Sequence, residues 1–294
     1  MPPKWSQGTI YYQIFPERFR KENPFYAPEN CVAWGSKPTA FNFMGGNLNG
    51  IRKSLSYLAE LGVECIYLNP VFASPSNHKY DTTDYYKVDP HFGSNEDLRI
   101  LVKEAHEKHI RVILDAVFNH TGTEFFAFAD LLKNQEKSEY QSWYHITCFP
   151  VREEADCYEC FFGFAGMPKL NTGNEKVQEY FLNVLEYWVR KVQVDGYRFD
   201  VIDEIDENFV LKIRDRLKRL NPELVLIGET WAEGKRLLNG CEMDSIMNYS
   251  FRQAMLDFFA ERSINAETFG HRLETALSRH PDETNMSVIA KGAK

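Results

Sequence analysis

The stretch Arg111-Val-Ile-Leu-Asp-Ala-Val-Phe-Asn-His120 begins as a short apolar run and ends in polar groups. An apolar run of this length reads as a strand over residues 111–116, buried on both faces as in a parallel sheet. The neighbouring segments support that reading. Upstream, Ser94-Asn-Glu-Asp97 resembles a capping box with Asp in place of Glu. The helix it opens carries Leu98, Leu101, Val102 and Ala105 on one face. Earlier still, residues 63–68 form a second such strand. Before it, Ile51, Leu55, Leu58 and Leu61 recur at helical spacing until Gly62 stops them. Residues 10–15 are a further strand. Downstream, Val177, Phe181, Val184, Leu185 and Trp188 mark a helix that leads into a strand over 196–200. A helix over 209–220, strands over 224–228 and 243–247, and helices at about 250–262 and 266–279 complete the series.

Strand, helix, strand, helix in this order specifies an α/β protein with a parallel sheet. No Gly-x-Gly-x-x-Gly follows the first strand, which favours a TIM-type (β/α)8 barrel over a dinucleotide-binding sheet. The interval between the third and fourth strands is far longer than its neighbours and calls for an inserted lobe. The expected organisation is a first barrel part over 1–118, an inserted lobe over 119–171 and a second barrel part over 172–294. With six to seven strands legible, the barrel is expected to be incomplete.

Composition narrows the function. The 294 residues include 34 Lys and Arg against 42 Asp and Glu, a net charge of −8. An acidic chain argues against nucleic acid or an anionic membrane as a partner. No apolar run approaches the roughly 18 residues of a membrane span, and the N-terminus has no apolar signal core, so a cytoplasmic location is expected. Six cysteines in a chain of this length are no disulfide framework. Cys157-Tyr-Glu-Cys160 has the spacing of half a zinc knuckle, but no second Cys-x-x-Cys or paired His follows, and thiols without a metal are expected.

The polar residues at strand ends carry the chemistry, because a barrel places its active site there. Asp115 and His120 end the third strand, Arg198 and Asp200 the fourth, and Glu229 the fifth. Any one alone is explained as a loop cap; five on one rim of successive strands are not. Arg198 and Asp200, two apart, share a face. A guanidinium beside Asp200 is expected to keep that carboxylate ionised. An ionised Asp with a Glu on the adjacent strand suits a retaining glycosidase, with one group as nucleophile and the other as acid/base.

Three of these stretches, Asp115-Ala-Val-Phe-Asn-His120, Gly196-Tyr-Arg-Phe-Asp200 and Gly228-Glu-Thr-Trp231, resemble the first three characteristic regions of the α-amylase family of glycoside hydrolases. Met167-Pro-Lys-Leu-Asn171 resembles the further motif of its neopullulanase, cyclomaltodextrinase and maltogenic amylase subgroup. Glu204 and the stretches His78-Lys-Tyr-Asp-Thr-Thr-Asp-Tyr85 and Asp89-Pro-His-Phe-Gly93 fit the same subgroup. The resemblance implies hydrolysis of α-1,4 links in cyclodextrins, pullulan or maltooligosaccharides. It assigns Asp200 as nucleophile, Glu229 as acid/base, Arg198 as the holder of the nucleophile and Asp115 as part of the network behind it. It further implies that His120 donates a hydrogen bond to the sugar, Tyr80 is its aromatic platform, and Trp231 and Glu204 line the acceptor side. For Trp231 the competing explanation is core packing; for Asn119 it is bracing of the loop.

The sequence also departs from the family. Its fourth region, which carries a third catalytic Asp, has no counterpart before the chain ends in Asp282-Glu-Thr-Asn-Met-Ser-Val-Ile-Ala-Lys-Gly-Ala-Lys294. His280-Pro-Asp282 precedes the seventh strand and has Pro between its two polar residues, so it does not substitute. These last residues read as an out-of-frame tail, and the alternative function is an inactive barrel fragment. The subgroup's calcium site is expected to be lost, because its loop reads Arg20-Lys-Glu-Asn-Pro24 and its second motif Gly45-Gly-Asn47. No cofactor is expected.

Overall fold

The computed structural model describes residues 2–23, 26–232, 234–278 and 285–287. Its strands are β1 (Tyr11–Ile14), β2 (Cys65–Leu68), β3 (Phe72–Ala73), β4 (Asp84–Val88), β5 (Arg111–Ala116), β6 (Gly196–Phe199), β7 (Val225–Gly228), β8 (Ser245–Met247) and β9 (Asn285–Ser287). Its helices are α1 (Pro16–Phe19), α2 (Leu48–Lys53), α3 (Leu55–Glu60), α4 (Asn95–Glu107), α5 (Phe126–Asn134), α6 (Glu175–Val192), α7 (Glu207–Leu220), α8 (Tyr249–Met255) and α9 (Ala266–Ser278). No helix among the described residues is long and apolar enough to cross a membrane.

Seven strands form one sheet in the order β1-β2-β5-β6-β7-β8-β9, with every neighbouring pair parallel. Order in the sheet follows order in the chain, as in a barrel laid down strand by strand and unlike a doubly wound sheet. Among the described residues β1 and β9 do not pair with each other, so the barrel is incomplete. The tail differs from expectation at one place. Asn285–Ser287 form a seventh strand in register with Ser245–Met247. His280-Pro-Asp282 and residues 288–294 lie outside the described residues, as does Pro24 of the calcium-loop reading.

Side-chain alternation sorts the strands into two faces. Ile66, Leu68, Val112, Leu114, Ala116, Tyr197, Phe199, Leu226 and Ile246 face outward. There they join helix residues such as Leu98, Leu101, Leu185, Trp188, Ile213 and Leu217 in the main core. The opposite parity, Cys65, Tyr67, Ile113, Val225, Ile227 and Met247, makes a separate inner cluster. One or two steps further along the same parity stand Asp115, Arg198, Asp200 and Glu229. The barrel interior is therefore apolar at its floor and charged at its mouth. At the floor, Gly196 on β6 is set against β7 so closely that a Cβ would stand 2.1 Å from the Val225 carbonyl oxygen. Only glycine fits this approach.

The capping box forms as expected. Ser94 Oγ accepts from Asp97 N at 3.1 Å, and Asp97 Oδ2 accepts from Ser94 N at 2.8 Å. Ser94→Ala is expected to destabilise the fold by about 1 kcal/mol, measured as a lower urea midpoint at unchanged slope. The periodicity over residues 51–61 predicts one helix, yet the chain makes two, α2 and α3, hinged at Ser54. Ser54 Oγ donates to the Gly50 carbonyl at 3.0 Å, and Arg20 Nη1 donates to Ser54 Oγ at 3.3 Å. A serine bonded back to its own helix in this way bends it. The hairpin of β3 and β4 has no counterpart in the periodicity reading.

Between β5 and α6 the backbone makes isolated antiparallel bridges rather than a sheet: His120 with Lys169, Tyr144 with Leu170, Ile146 with Tyr158, and Cys160 with Pro168. These bring Phe161 and Met167 over the mouth of the barrel.

Candidate active site

The site grows out of the strand register. Asp115 on β5 is the direct neighbour of Arg198 on β6, and Arg198 of Ile227 on β7. Two residues beyond that row come Asp200 and Glu229. Glu229 N donates to the Phe199 carbonyl at 2.9 Å, which continues the ladder past the end of the strands. All four polar residues thus converge by pleat parity alone.

One guanidinium holds the cluster. Arg198 Nη1 lies 2.8 Å from Asp115 Oδ1 and 2.7 Å from Asp200 Oδ1, and Nη2 lies 2.6 Å from Glu229 Oε2. The four residues are buried, and Arg198 is 3% exposed. Tyr67 donates to Asp115 Oδ2 at 2.6 Å, and Tyr80 donates to the same oxygen at 3.2 Å. Tyr249 donates to Glu229 Oε1 at 2.6 Å, and Val201 N donates to Glu229 Oε2 at 3.2 Å. Val201 adopts φ 45°, ψ 51°. That left-handed conformation is costly for a β-branched residue, and it turns this N–H toward the carboxylate.

Three carboxyl groups around one cation cannot all be ionised without two uncompensated buried charges. Burial pushes the Asp200 carboxyl up to about 8, and the charges of Asp115 and Glu229 add to this against the pull of Arg198. Glu229 goes the other way. Burial raises it, but Arg198, the Tyr249 hydroxyl and the Val201 N–H together hold it below the ordinary carboxylate range. The expectation that Arg198 keeps Asp200 ionised is therefore corrected: burial and two further carboxylates outweigh one shared guanidinium. The two carboxyls are thus pushed in opposite directions, Asp200 toward the protonated form and Glu229 toward the ionised one.

The cluster opens into a cavity of about 1790 Å³. Tyr80, His120, Arg198, Asp200, Glu229 and Trp231 all line it. Asp115 sits behind Arg198. Burial pushes the His120 imidazole down to about 4, so it is neutral at pH 7. Its Nε2 is buried without a hydrogen-bond partner among the described residues, and its ring stacks on Phe161 at 4.8 Å. Trp231 is 60% exposed and faces Phe162 at 5.8 Å, which removes core packing as its role. Asn119 Nδ2 lies 3.3 Å from His120 Nδ1, so the residue contacts the histidine it precedes. Glu204 is the exception. It lies outside the cavity lining and pairs with Lys169 at 2.7 Å, because the turn after Val201 carries it to the outer rim.

Tyr249, Tyr67 and Asn69 are not among the sequence candidates. Tyr67 is legible in principle, since it shares the parity of Asp115 across the sheet. Tyr249 lies just beyond β8, where no motif points to it.

The loop expected to have lost calcium does not fit the ion. Asn47 Nδ2 donates to the Glu22 carbonyl, and Asn47 Oδ1 accepts from Gly50 N at 2.9 Å as a helix cap. Arg20 pairs with Glu22 at 2.7 Å. An amide N–H and a guanidinium occupy the surroundings where a calcium would need acceptor oxygens.

Paired carboxyls at the mouth of a parallel barrel, opening on a large cavity with aromatic walls, define the class of barrel glycoside hydrolases. The family model described as "Alpha amylase, catalytic domain" matches residues 13–292. A cyclomaltodextrinase of Thermoanaerobacter pseudethanolicus is 47% identical over 96% of this chain and 50% of its own length. The intracellular maltogenic amylase of Bacillus subtilis is 43% identical over 96% of this chain and 48% of its own length. Among solved structures, the cyclic α-maltosyl-(1→6)-maltose hydrolase of Arthrobacter globiformis, in complex with its cyclic saccharide, superposes with a TM-score of 0.93 at 35% identity. That match covers 96% of this chain and 64% of the neighbour. The chain belongs to the α-amylase family, in the subgroup of cyclomaltodextrinases, neopullulanases and maltogenic amylases. It spans about half the length of the curated relatives it matches.

Proposed function

We propose that this protein hydrolyses α-1,4-glucosidic bonds in cyclodextrins, pullulan or maltooligosaccharides by a retaining double displacement. The observation that carries the reading is the convergence of Asp200 and Glu229 from adjacent strands on the one guanidinium of Arg198, at 2.7 and 2.6 Å. The active form of the pair carries one proton, on Glu229, and leaves Asp200 ionised. Glu229 then protonates the glycosidic oxygen while Asp200 Oδ attacks the anomeric carbon. In the second step Glu229 takes a proton from water, and that water displaces Asp200. His120, neutral and with a free ring nitrogen, donates to a sugar hydroxyl, and Tyr80 and Trp231 offer flat faces to sugar rings. Glu204 at the outer rim completes the acceptor side only for longer chains.

The test is release of reducing sugar from β-cyclodextrin, with the anomer of the first product followed by NMR. Release of the α-anomer supports the reading, and initial release of the β-anomer overturns the retaining step. The open run from β1 to β9 favours a second reading, an α-glucan-binding barrel with little turnover; saturable β-cyclodextrin binding without sugar release would select it. We also propose that no calcium is needed. Adding calcium to the chelator-treated protein is expected to change neither the rate nor the unfolding midpoint, and a gain in either would show that calcium binds. A cytoplasmic location is supported by the Bacillus subtilis relative being named intracellular.

A further inference from the structure

The segment between β5 and α6 contains a short antiparallel ladder that leads into the cavity wall. Glu159 N donates to the His145 carbonyl at 2.9 Å, and Thr147 N donates to the Cys157 carbonyl at 2.9 Å. Thr147 Oγ1 donates to the Asp156 carbonyl at 2.6 Å and closes the loop of residues 148–157. The loop's far side is tied down beside the end of α5. There Val151 N donates to Gln135 Oε1 at 2.6 Å, and Gln135 Nε2 donates to the Val151 carbonyl at 3.1 Å. This closure brings Cys148 Sγ to 2.8 Å from Cys157 Sγ, both as free thiols.

The two thiols differ in access. Cys157 is buried, whereas Cys148 is partly exposed, so a small reagent in solvent meets Cys148 first. The Cys-x-x-Cys spacing suggests Cys160 as the partner of Cys157, but the backbone of Cys160 bridges Pro168 and not the 145–147 segment. The middle segment of the ladder runs on from Cys157 to Phe161. Phe161 N donates to the Met167 carbonyl at 3.0 Å, and the Phe161 ring stacks on His120 at 4.8 Å. Whatever fixes Cys157 therefore fixes a stretch that ends against the candidate site.

We propose that Cys148 and Cys157 are a modification site, a dithiol that a low-molecular-weight disulfide of the glutathione type converts reversibly into an intrachain disulfide. The Cys148 thiolate attacks the small disulfide and releases one small thiolate; the Cys157 thiolate then attacks Cys148 Sγ and releases the second. Two protein S–H bonds and one small S–S bond are replaced by one protein S–S bond and two small thiols. The cysteines lose the two electrons that the small disulfide gains, and both protons pass through solvent to the released thiolates. The fold already holds the sulfurs together, so little loop-closure entropy remains to be lost in the second step. The bond staples the loop and restricts the opening of the ladder that carries Phe161. In a reducing compartment such a bond is transient and follows the thiol–disulfide balance. The site is separate from the reaction proposed above and does not depend on it.

The experiment adds excess glutathione disulfide to the reduced full chain, blocks the remaining thiols with iodoacetamide and measures the mass. The expected product has lost two hydrogens at this pair, and dithiothreitol restores the starting chain. Arg152 lies between the two cysteines, so trypsin parts them into peptides that stay joined only through the new bond. Fragmentation of the joined peptides should place the bond on Cys157 and leave Cys160 alkylated. Cys157→Ser should stop at a stable glutathione adduct on Cys148. Cys148→Ser should slow modification of Cys157 by about tenfold or more, because the buried thiol loses its accessible neighbour. In the unaltered chain, the oxidised form should exchange the Thr147 and Phe161 amide hydrogens more slowly than the reduced form. The proposal fails if the bond joins Cys160, if the unaltered chain stops at glutathione adducts, or if Cys148→Ser leaves Cys157 as reactive as before. Equal amide exchange in the two forms would overturn the stapling of the ladder.

Discussion

Asp200→Asn is expected to reduce hydrolysis of β-cyclodextrin by roughly 10⁴-fold or more, the scale on which removing one member of a concerted catalytic set acts. The substitution is isosteric. The new amide oxygen would still accept from Arg198, so the buried guanidinium keeps its shape and its contacts to Asp115 and Glu229. What disappears is the carboxylate that forms the covalent link to the sugar in the proposed mechanism. The measurement is reducing-sugar release by matched preparations whose far-ultraviolet circular dichroism agrees. Retention of more than about 1% of the parent rate would exclude Asp200 as nucleophile.

The same carboxyl governs the response to pH. It holds its proton until about pH 8, and the pair needs one proton to be active. The rate constant kcat/KM is therefore expected to fall on the alkaline side with an apparent midpoint near 8. The acid limb should lie below the ordinary carboxylate range, where Glu229 gains a second proton. Stability follows in a defined direction. The folded-state value of Asp200 stands above its unfolded 3.8. The stabilisation is therefore complete below about 3.8 and is lost as pH rises through 8. The amide of the Asp200→Asn variant has no proton to lose. That variant should match the parent near pH 4 and exceed it at pH 8.5 by about 2–5 kcal/mol, read as a melting temperature several degrees higher. Equal melting temperatures at both pH values would place the buried proton elsewhere.

Much of this site is legible in the chain because one rule, side-chain alternation, governs both the core and the cluster. The four-residue strands β6 and β7 are wholly buried, and that burial makes them stand out as apolar runs. Their parity then brings Arg198, Asp200 and Glu229 together. What the chain does not reveal depends on sums over several strands. Parity shows that Arg198 faces Asp200, but not that Asp115 and Glu229 crowd the same guanidinium and reverse the expected protonation. Tyr249 escapes the reading because it stands on a helix start, where strand alternation no longer applies. Cys148, whose Sγ lies 2.8 Å from that of Cys157, escapes it because a loop closure, not a fixed spacing, brings the two together. The break at Ser54 is hidden because its cause, the hydroxyl's bond back to the Gly50 carbonyl, leaves the apolar spacing unchanged.

Gly196 at the barrel floor acts as a calliper for the chemistry at the mouth. It is the register neighbour of Val225, and Asp200 and Glu229 each lie four residues further along the same two chain segments. The backbones that carry the two carboxyls are thus held one inter-strand spacing apart, about 4.8 Å, carried up the ladder from a point where only a hydrogen atom separates them. A backbone spacing of this size is compatible with the roughly 5–5.5 Å carboxyl separation of the proposed retaining step. Neighbouring strands in one register row thus favour the short carboxyl separation that the double displacement proposed above needs. A methyl group at residue 196 would open the calliper from the hinge end, degrading stereochemical precision from the side of the barrel farthest from the substrate.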